Sequence, residues 1–291
     1  MQRPFVCHRP KLFDTPIIYN SPHSGRIYNS SFLGHSVLSF NEIRVSEDYY
    51  VDQLFQSATE NGAFLLEACF PRSFVDVNRS PSELDQKLIA ELSSTIMSPR
   101  TSAGLGVIPR IVGDGIEIYS EKLSLEEVKI RLNSYYYPYH RQLKKLIGHA
   151  LEHFGTAILL DVHSMPHACL ENFSDDKTQL PQIVIGDCFG SSCSPSFSQE
   201  VFDIFESEGF KVVRNSPFSG GFITKNYGSP VEKVHVIQVE IDKSLYMNEE
   251  DFRLHSGYED LRLRLDAIVK SLSCMQKPKR MVHEITSLPY L

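Results

Sequence analysis

One short segment limits the possible folds of this chain more than any other. Residues 156–162 read Thr-Ala-Ile-Leu-Leu-Asp-Val, a nearly unbroken apolar run that directly follows Gly155. Such a run is typical of a strand that is buried on both faces of a mostly parallel sheet. The sequence therefore predicts a central strand that carries His163 at its C-terminal end.

A long helical region precedes this strand. Ser124-Leu125-Glu126-Glu127 is a capping-box sequence and predicts that a helix begins at Ser124. Helical periodicity continues to Phe154, and Pro138 is predicted to break or kink the helix because proline lacks the backbone N–H. A helix that leads directly into a buried strand is typical of an α/β fold.

Strand-like and helix-like patterns alternate through most of the chain, which indicates an α/β sheet covered on both faces. The predicted strands lie at 16–19, 63–68, 74–77, 156–162, 182–186, 210–214 and 234–241. The predicted helices, besides the long one, lie at 49–60, 197–208 and 249–272. The weak pattern between Pro81 and Leu123 predicts an irregular excursion whose loops cover a site.

Composition argues against two classes of partner. The formal net charge is -7, whereas a nucleic-acid surface needs clustered Lys and Arg. We find no apolar stretch as long as a membrane span and expect no signal sequence. The 6 cysteines form no C-x-x-C pair and are typical of reduced core thiols. We therefore expect a soluble cytoplasmic protein that binds neither nucleic acid nor membrane.

Polar residues follow three of the predicted strands. His23 follows the first strand and His163 the central one, while Asn78 and Arg79 follow the strand predicted at 74–77. Open α/β sheets place their ligands at the carboxyl ends of strands, so these side chains are candidates for one site. Asp161 stands two residues before His163 and can orient its imidazole from behind.

Two imidazoles and an oxygen ligand form a sufficient set for a catalytic metal. The candidates for the oxygen ligand are Glu47 and Asp48, at the start of the helix predicted at 49–60. Acidic residues in the first turn of a helix also complement the helix dipole and need no metal. The residues alone leave both explanations open.

Another pattern resembles a metal motif but has a simpler explanation. His149-Ala150-Leu151-Glu152-His153 matches the H-x-x-E-H pattern of inverted zinc peptidases. The apolar stripe of the same helix lies on roughly the opposite side, so we expect His149, Glu152 and His153 to face water. The chain contains no G-x-S-x-G elbow, no phosphate loop and no G-x-G-x-x-G, and therefore gives no support to serine or nucleotide chemistry.

Successive motifs of the chain resemble those of the N-formylglutamate amidohydrolase family. Five of them are Pro22–Gly25, Asp48–Asp52, Arg72–Arg79, Asp161–Met165 and Gln238–Ile241. Tyr135–His140, Gly220–Phe222 and Tyr227-Gly228 also fit, and the match extends from about residue 15 to about residue 250. Five motifs in the family's order make the resemblance specific.

The resemblance implies a fold. It is a mixed, mostly parallel α/β sheet of about eight strands flanked by helices, in a single hydrolytic domain of residues 1–291. The family is similar, more distantly, to zinc carboxypeptidases and aspartoacylase-type deacylases, which hold zinc through a His-x-x-Glu pair and a later histidine. In this chain Arg26 stands three residues after His23, so the resemblance favours Asp48 as the second ligand.

The resemblance also implies a zinc-dependent hydrolysis. His23, Asp48 and His163 would hold Zn²⁺ and leave one position open for water. Glu240 would move the proton of that water to the leaving amine. Zinc, together with Arg72, would hold the developing oxyanion. From the residues alone, Glu240 is also explained as part of the polar face of an edge strand.

Substrate recognition is implied by the same motifs. Asn78 and Arg79 would bind the α-carboxylate of an N-acyl amino acid. Arg110 belongs to none of these motifs, but it lies in the weakly patterned excursion and is the candidate for a second anchor that meets the side-chain carboxylate. For N-formyl-L-glutamate the products would be formate and L-glutamate, with a place in histidine degradation. From the residues alone, Arg79 can instead form a structural salt bridge with Asp76 or Glu83.

Two other classes of function remain open at this point. One is a related zinc carboxypeptidase-like or aspartoacylase-like deacylase that acts on another N-acyl amino acid or a short peptide. The other is a non-catalytic, metal-free binding module that retains the fold. The joint presence of His23, His163 and Glu240 argues against the binding module.

Overall fold

The structure is a computed structural model that describes residues 3–92, 98–113, 115–173, 176 and 179–275. The strands are β1 Phe5–His8, β2 Ile17–Ser21, β3 Phe64–Ala68, β4 Ile111–Val112, β5 Ile116–Glu117, β6 Ala157–Met165, β7 Ile183–Gly186, β8 Val212–Arg214, β9 Val234–Asp242, β10 Met247–Asn248 and β11 Arg253–Leu254.

Helices flank the strands. The α-helices are α1 Ser30–His35, α2 Phe40–Arg44, α3 Val51–Leu54, α4 Pro99–Ser102, α5 Leu125–Arg131, α6 Tyr137–Phe154, α7 Pro195–Ser207, α8 Phe222–Tyr227 and α9 Gly257–Cys274. A π-helical turn, Leu132–Tyr136, joins α5 to α6. Short 3₁₀ segments occur at Gln56–Ala58, His167–Phe173, Pro230–Glu232 and Lys243–Leu245.

A seven-stranded mixed sheet organises the fold, with the strand order β1-β3-β2-β6-β9-β7-β8. Strand β6 is parallel to both β2 and β9, whereas β7 is antiparallel to β9 and parallel to β8. The predicted fold, a mixed and mostly parallel sheet flanked by helices, is therefore confirmed, with seven strands where about eight were expected.

Strand β6 is the central strand that the sequence predicts, and all nine of its residues are buried. It continues past the predicted end because β9 pairs with it as far as Met165 and Asp242. His163 therefore lies inside the strand and not just beyond it. In the same register His163 stands beside Glu240, and Asp161 stands beside Gln238.

A large hydrophobic core of the described residues lies against this sheet. Leu160 and Val162 of β6 pack there with Val239 of β9, and apolar residues of α7 and α9 such as Phe205 and Leu265 complete the cluster. All five side chains are at most 1% exposed. Full burial of one such side chain stabilises a fold by about 1.5–3 kcal/mol, so this core holds the strands that carry the site.

Three predicted elements are wrong. The helix predicted at 49–60 forms only the four-residue α3 and the 3₁₀ segment Gln56–Ala58. Residues 74–77 form no strand, because the segment turns at Pro71 and the Asp76 N–H donates to the Val107 carbonyl at 2.8 Å. The closing helix begins at Gly257, not at residue 249, since β10 and β11 form a hairpin before it. Asn248 and Asp251 side chains accept nearby backbone N–H groups in that hairpin and compete with helix formation.

The long helix begins where the sequence predicts, with the Ser124 side chain accepting the Glu127 N–H. It does not break at Pro138. The π turn lies just before that proline, and the Tyr137 N–H reaches back five residues to the Leu132 carbonyl. A proline at this place removes one backbone donor, and the wider turn accommodates the loss. Gly155, with φ +70°, ends the helix as predicted.

The chain divides into two compact units. The first comprises Met1–Val6, Pro22–Asp48 and Glu67–Lys144, and the second comprises Cys7–Ser21, Tyr49–Leu66 and Lys145–Leu291. The single hydrolytic domain over residues 1–291 stays a prediction. In the described part of the chain, no helix combines the length and the apolar character that crossing a membrane requires.

Candidate active site

His23 follows β2 in a tight turn. A side chain at Gly25 would place its Cβ 2.1 Å from the Phe70 carbonyl oxygen, so only glycine allows this approach. The His23 Nε2 atom lies 2.8 Å from Asp76 Oδ1, and its Nδ1 atom lies 3.5 Å from Asp48 Oδ2. The imidazole is therefore oriented by one buried carboxylate and faces a second one.

Asp76 is the centre of a charged cluster. Its Oδ2 atom accepts a hydrogen bond from Arg72 Nη2 at 2.8 Å, and Arg79 Nη1 lies 3.9 Å away. Burial alone would raise the pKa of this carboxyl, but the charges of Arg72 and Arg79 and the hydrogen bond from His23 outweigh burial and hold the pKa well below its ordinary value. Asp76 therefore stays ionised and accepts the His23 Nε2–H.

The two acidic residues before α3 have different surroundings. Glu47 is bound through both oxygens to Arg44, at 2.9 and 3.1 Å, and it also accepts the Tyr28 hydroxyl at 2.6 Å. Asp48 instead faces His23 Nδ1, and the Asp48 N–H donates to the His23 carbonyl at 3.0 Å. This geometry favours Asp48 over Glu47 as the oxygen ligand.

His163 has a carboxylate behind it, as the sequence suggests. Asp161 is fully buried, and its Oδ2 atom lies 3.1 Å from His163 Nε2. Asn20 Nδ2 donates to the other oxygen of Asp161 at 2.7 Å. Residues two apart on a strand share one face, which explains why Asp161 and His163 meet.

Glu240 is buried on β9 beside His163. Gln238 Nε2 donates to Glu240 Oε1 at 2.8 Å, while the Gln238 side-chain oxygen accepts the Gly221 N–H at the same distance. The predicted same-side position of Gln238 and Glu240 is thus correct, but β9 is an inner strand and not an edge strand. A backbone-anchored amide fixes the orientation of the carboxylate.

Three of the buried side chains form a group that can bind a metal ion. Ligand atoms of His23, Asp48 and His163 all lie within 4.8 Å of one another. Among the residues that the structure describes, this is the one group of side chains that could hold a metal ion in this way. Each imidazole has its Nε2 atom against a carboxylate, which leaves Nδ1 as the lone-pair donor.

One distance between two of the ligand atoms can be compared with a tetrahedral metal site. Ligands of tetrahedral zinc, at about 2.0–2.2 Å from the ion, lie roughly 3.3–3.6 Å from each other. The 3.5 Å between His23 Nδ1 and Asp48 Oδ2 falls in this range. Two neutral imidazoles, each backed by a carboxylate, and one buried carboxylate form a donor set that zinc accepts.

Asn78 and Arg79 lie on the loop that carries Asp76. The Asn78 N–H donates to Asp76 Oδ1 at 2.8 Å. Arg79 donates from Nη1 to the Asn78 carbonyl at 2.8 Å and from Nε to the Leu105 carbonyl at 3.0 Å. Burial lowers the pKa of Arg79 and Asp76 opposes that shift. The guanidinium is held by backbone carbonyls more than by a salt bridge.

Arg110 is already paired in this structure. Its Nε atom donates to Asp85 Oδ2 at 2.8 Å, and its Nη1 atom donates to Glu117. The Asp85 side chain is 0% exposed, whereas that of Glu117 is 54% exposed. The pKa of Arg110 is raised, chiefly by its hydrogen bond to Asp85. A substrate carboxylate at Arg110 would have to replace Glu117.

The H-x-x-E-H segment on α6 is not part of the metal-binding group. Glu152 and His153 are exposed, as predicted. The prediction for His149 is wrong, because its ring is half-buried and stacks on Phe13 with centroids 4.8 Å apart. Phe13 is distant in sequence, so the helical pattern alone gave no sign of this contact.

Sequence reasoning missed several polar contacts of the site. Asp76 was not expected to orient His23, nor Asn20 to orient Asp161. Tyr136 and His140 were not assigned a role. The D-x-N pattern in Asp76-Val77-Asn78 is a recognisable signal for a local side-chain turn. The other contacts join residues more than 50 positions apart.

Fold and site together define a class of protein. An α/β sheet that carries a buried glutamate beside a His–Asp–His group is arranged for hydrolysis by an activated water. The comparisons identify the family within this class. The family model described as N-formylglutamate amidohydrolase matches residues 15–247, and the chain belongs to that family. The resemblance inferred from the motifs is thus confirmed.

Known relatives are similar over most of their length. An N-formylglutamate deformylase of Pseudomonas putida is 30% identical over 261 residues, which cover 88% of this chain and 90% of that protein. An N-formylglutamate deformylase of Pseudomonas aeruginosa is 29% identical over 238 residues, which cover 81% of this chain and 83% of that protein.

Two solved structures share the fold. The crystal structure of N-formylglutamate amidohydrolase from Ralstonia eutropha JMP134 has a TM-score of 0.87 and 31% identity, and the match covers 94% of this chain and 98% of that one. A gene product from Agrobacterium tumefaciens, at 16% identity and a TM-score of 0.66, is similar in fold alone, with 93% and 94% covered.

Proposed function

We propose that this chain hydrolyses N-formyl-L-glutamate to formate and L-glutamate and that the reaction depends on zinc. The observation that carries the proposal is the buried metal-binding group of His23, Asp48 and His163, with Glu240 in register beside one of its histidines. Membership of the N-formylglutamate amidohydrolase family and the names of the relatives support the choice of substrate.

Zinc would be held by His23, Asp48 and His163. When bound, it would supply Lewis-acid chemistry that polarises the formyl carbonyl and makes water a nucleophile near neutral pH, where the pKa of water falls to about 7. Asp76 accepts the Nε2–H of His23, and Asp161 Oδ2 lies 3.1 Å from His163 Nε2, so each imidazole has a carboxylate behind it that leaves Nδ1 to face the metal.

Glu240 would act as the general base and then as the general acid. Its carboxylate takes a proton from water while the water oxygen adds to the formyl carbon. It returns the proton to the amide nitrogen as the C–N bond breaks, so the step balances without a further reactant. Gln238 donates to Oε1 and holds it in place.

Arg72 would stabilise the oxyanion of the tetrahedral intermediate, as the motif suggests. Its Nη2 atom donates to Asp76 Oδ2, and a guanidinium has five N–H donors in a planar arrangement. A positioned cation near the developing charge is the kind of group from which catalysis gains most. The same contact with Asp76 links Arg72 to the orientation of His23.

Asn78 and Arg79 would form the carboxylate clamp, the name used below for this pair of residues. A planar guanidinium binds a carboxylate through two parallel charge-assisted hydrogen bonds, which lysine cannot reproduce. The clamp is joined to the metal-binding group through Asp76, which contacts both Asn78 and His23. This link would fix the distance between the metal-binding group and the clamp, and that distance would match substrates whose α-carboxylate lies next to the scissile amide.

Arg110 would be the second anchor, for the side-chain carboxylate. Its pairing with the buried Asp85 would persist, while the exposed Glu117 would give way to substrate. Exposed ion pairs contribute only about 0–1 kcal/mol, so this exchange costs little. An Arg110→Gln variant should then lose preference for N-formylglutamate over N-formylglutamine.

A substrate panel tests the proposed function. Zinc-loaded protein should release formate from N-formyl-L-glutamate with a much higher kcat/KM than from N-formylglutamine or N-formylmethionine, because the uncharged side chains cannot form the charge-assisted hydrogen bonds that Arg110 would offer a carboxylate. Equal values across the three formyl substrates would reject the dicarboxylate specificity. Preferred cleavage of N-acetylated amino acids or of dipeptides would instead indicate the related deacylase or carboxypeptidase-like activity.

A metal-free binding module is the remaining alternative, and the absence of both zinc binding and turnover in purified protein would support it. We also propose a cytoplasmic location. The six cysteines support that location, because all of them are free thiols in the structure. A place in histidine degradation would follow from the proposed substrate.

A further inference from the structure

We propose that Tyr136 and His140 are positioning residues for the carboxylate clamp. The π turn Leu132–Tyr136 would direct both side chains towards the loop that carries the clamp. The inference rests on the proposed function, because the clamp is part of it. Neither residue touches substrate in this account. Each acts through the backbone of the loop that carries Asn78 and Arg79.

The two side chains hold the carbonyl groups on either side of Asn78. The Tyr136 hydroxyl donates to the Arg79 carbonyl at 2.8 Å, and His140 Nε2 donates to the Val77 carbonyl at 3.0 Å. Tyr136 is 2% exposed and His140 is 7% exposed. A buried carbonyl that loses its donor is costly, so both hydrogen bonds constrain the loop strongly.

No strand ladder supports the clamp. The Asn78 carbonyl accepts Arg79 Nη1, so the three consecutive carbonyls from Val77 to Arg79 are all bound by side chains. The Asn78 N–H is bound by Asp76 Oδ1. The direction of the clamp therefore depends on these donors, and a displacement of about 1 Å can reduce catalysis by as much as 10²-fold.

The π turn explains how one helix reaches the whole loop. Residues five apart in an α-helix point about 140° away from each other, at 100° per residue. The wider π turn reduces this angle, so that Arg131 and Tyr136 face the same segment. Arg131 donates to the Phe74 carbonyl at 3.4 Å and to the Tyr119 hydroxyl at 2.7 Å. His140 follows Tyr136 by four residues and lies on the same face.

The test compares two substrates that differ at one group. The substrates are N-formyl-L-glutamate and its α-amide, in which the α-carboxylate is replaced by a carboxamide. Tyr136→Phe and His140→Leu should each lower kcat/KM for the α-carboxylate substrate by about 10–100-fold, mainly through KM. The rate with the α-amide should change by less than about threefold, and zinc content should stay at the wild-type level.

Matched variants separate positioning from general loss of structure. Tyr137→Phe removes a hydroxyl from the neighbouring, 38% exposed tyrosine and should leave both substrates unchanged. His140→Gln keeps an amide donor near the position of Nε2 and should restore most of the activity that His140→Leu loses. An equal loss with both substrates, an unchanged KM, or no rescue by glutamine would overturn the inference.

A second readout does not depend on the proposed substrate. Amide hydrogen exchange at Asn78 should be faster in Tyr136→Phe than in Tyr137→Phe, because the loop around the Asp76–Asn78 hydrogen bond is loosened. Unchanged exchange would overturn the inference even in an inactive protein. Absence of formate release by the wild type, with faster exchange in Tyr136→Phe, would reject the proposed function and leave the positioning role intact.

Discussion

Asp161→Asn should weaken zinc binding although the variant residue has the same shape. Asp161 accepts a hydrogen bond from Asn20 Nδ2 through Oδ1 at 2.7 Å, and its other oxygen, Oδ2, lies 3.1 Å from His163 Nε2. An asparagine offers one acceptor oxygen and one NH₂ group. Whichever way the asparagine side chain is turned, its NH₂ group faces a nitrogen: either Asn20 Nδ2 or His163 Nε2.

The consequence for His163 follows from its tautomer. If the His163 imidazole moves its hydrogen to Nδ1, Nε2 can accept from the asparagine NH₂, but the Nδ1 lone pair that would bind zinc is lost. If the hydrogen stays on Nε2, it clashes with the asparagine NH₂ and the ring must rotate away. Loss of such an outer partner reduces metal affinity by about 10–100-fold. This corresponds to about 1.4–2.7 kcal/mol at 25 °C.

The assay is a zinc titration in competition with a chelating dye, at neutral pH and constant protein concentration. Asp187→Asn is the matched control, since Asp187 is also buried and accepts hydrogen bonds from Ser198 and Asn215 at 2.6 and 2.8 Å. It should lower thermal stability without changing zinc affinity. Wild-type zinc affinity in Asp161→Asn would refute the role of Asp161 behind His163.

Four further variants test the catalytic and binding roles. Glu240→Gln should keep zinc but lower turnover by about 10²–10⁴-fold, the contribution of a positioned acid–base group; a near-normal rate in a formate-release assay would remove Glu240 from the mechanism. Arg79→Lys should raise KM for N-formylglutamate while elemental analysis still finds zinc, because lysine lacks the planar fork; unchanged kinetics would leave Arg79 a purely structural role. Asp48→Ala should abolish zinc binding. Glu47→Ala should retain zinc but lose stability, since this variant removes the carboxylate that pairs with Arg44. The opposite pattern would make Glu47 the ligand.

The centre of the fold could be predicted because its signal is local. The run at 156–162 is apolar except for Thr156 and Asp161, and β6 is buried throughout. Asp161 and His163 could be paired from sequence because two residues two apart on a strand point the same way. Ser124 and Gly155 mark the ends of the long helix by the same kind of local chemistry.

The loop that carries the clamp could not be predicted in this way. Phe74, Val75 and Val77 are buried and apolar, which imitates a strand. The backbone of the segment is bound instead by the Val107 carbonyl and by side chains more than 50 residues away. Tertiary contacts thus override the local β preference of these residues.

The choice between Glu47 and Asp48 also needed three dimensions. Both residues are acidic, adjacent and buried. They differ because Arg44 and the Tyr28 hydroxyl occupy the carboxylate of Glu47, while Asp48 faces His23. The partner of His23, Asp76, lies 53 residues along the chain from it, a separation at which sequence patterns carry no geometric information.

Titration of metal-free protein with zinc, with formate release from N-formyl-L-glutamate as the signal, tests the central claim most directly. The rate should rise in proportion to added zinc and level off at about one equivalent per chain, the stoichiometry of a single site with His23, Asp48 and His163 as ligands. Full formate release before any zinc is added, or no release at saturating zinc, would contradict a zinc-dependent N-formylglutamate hydrolase.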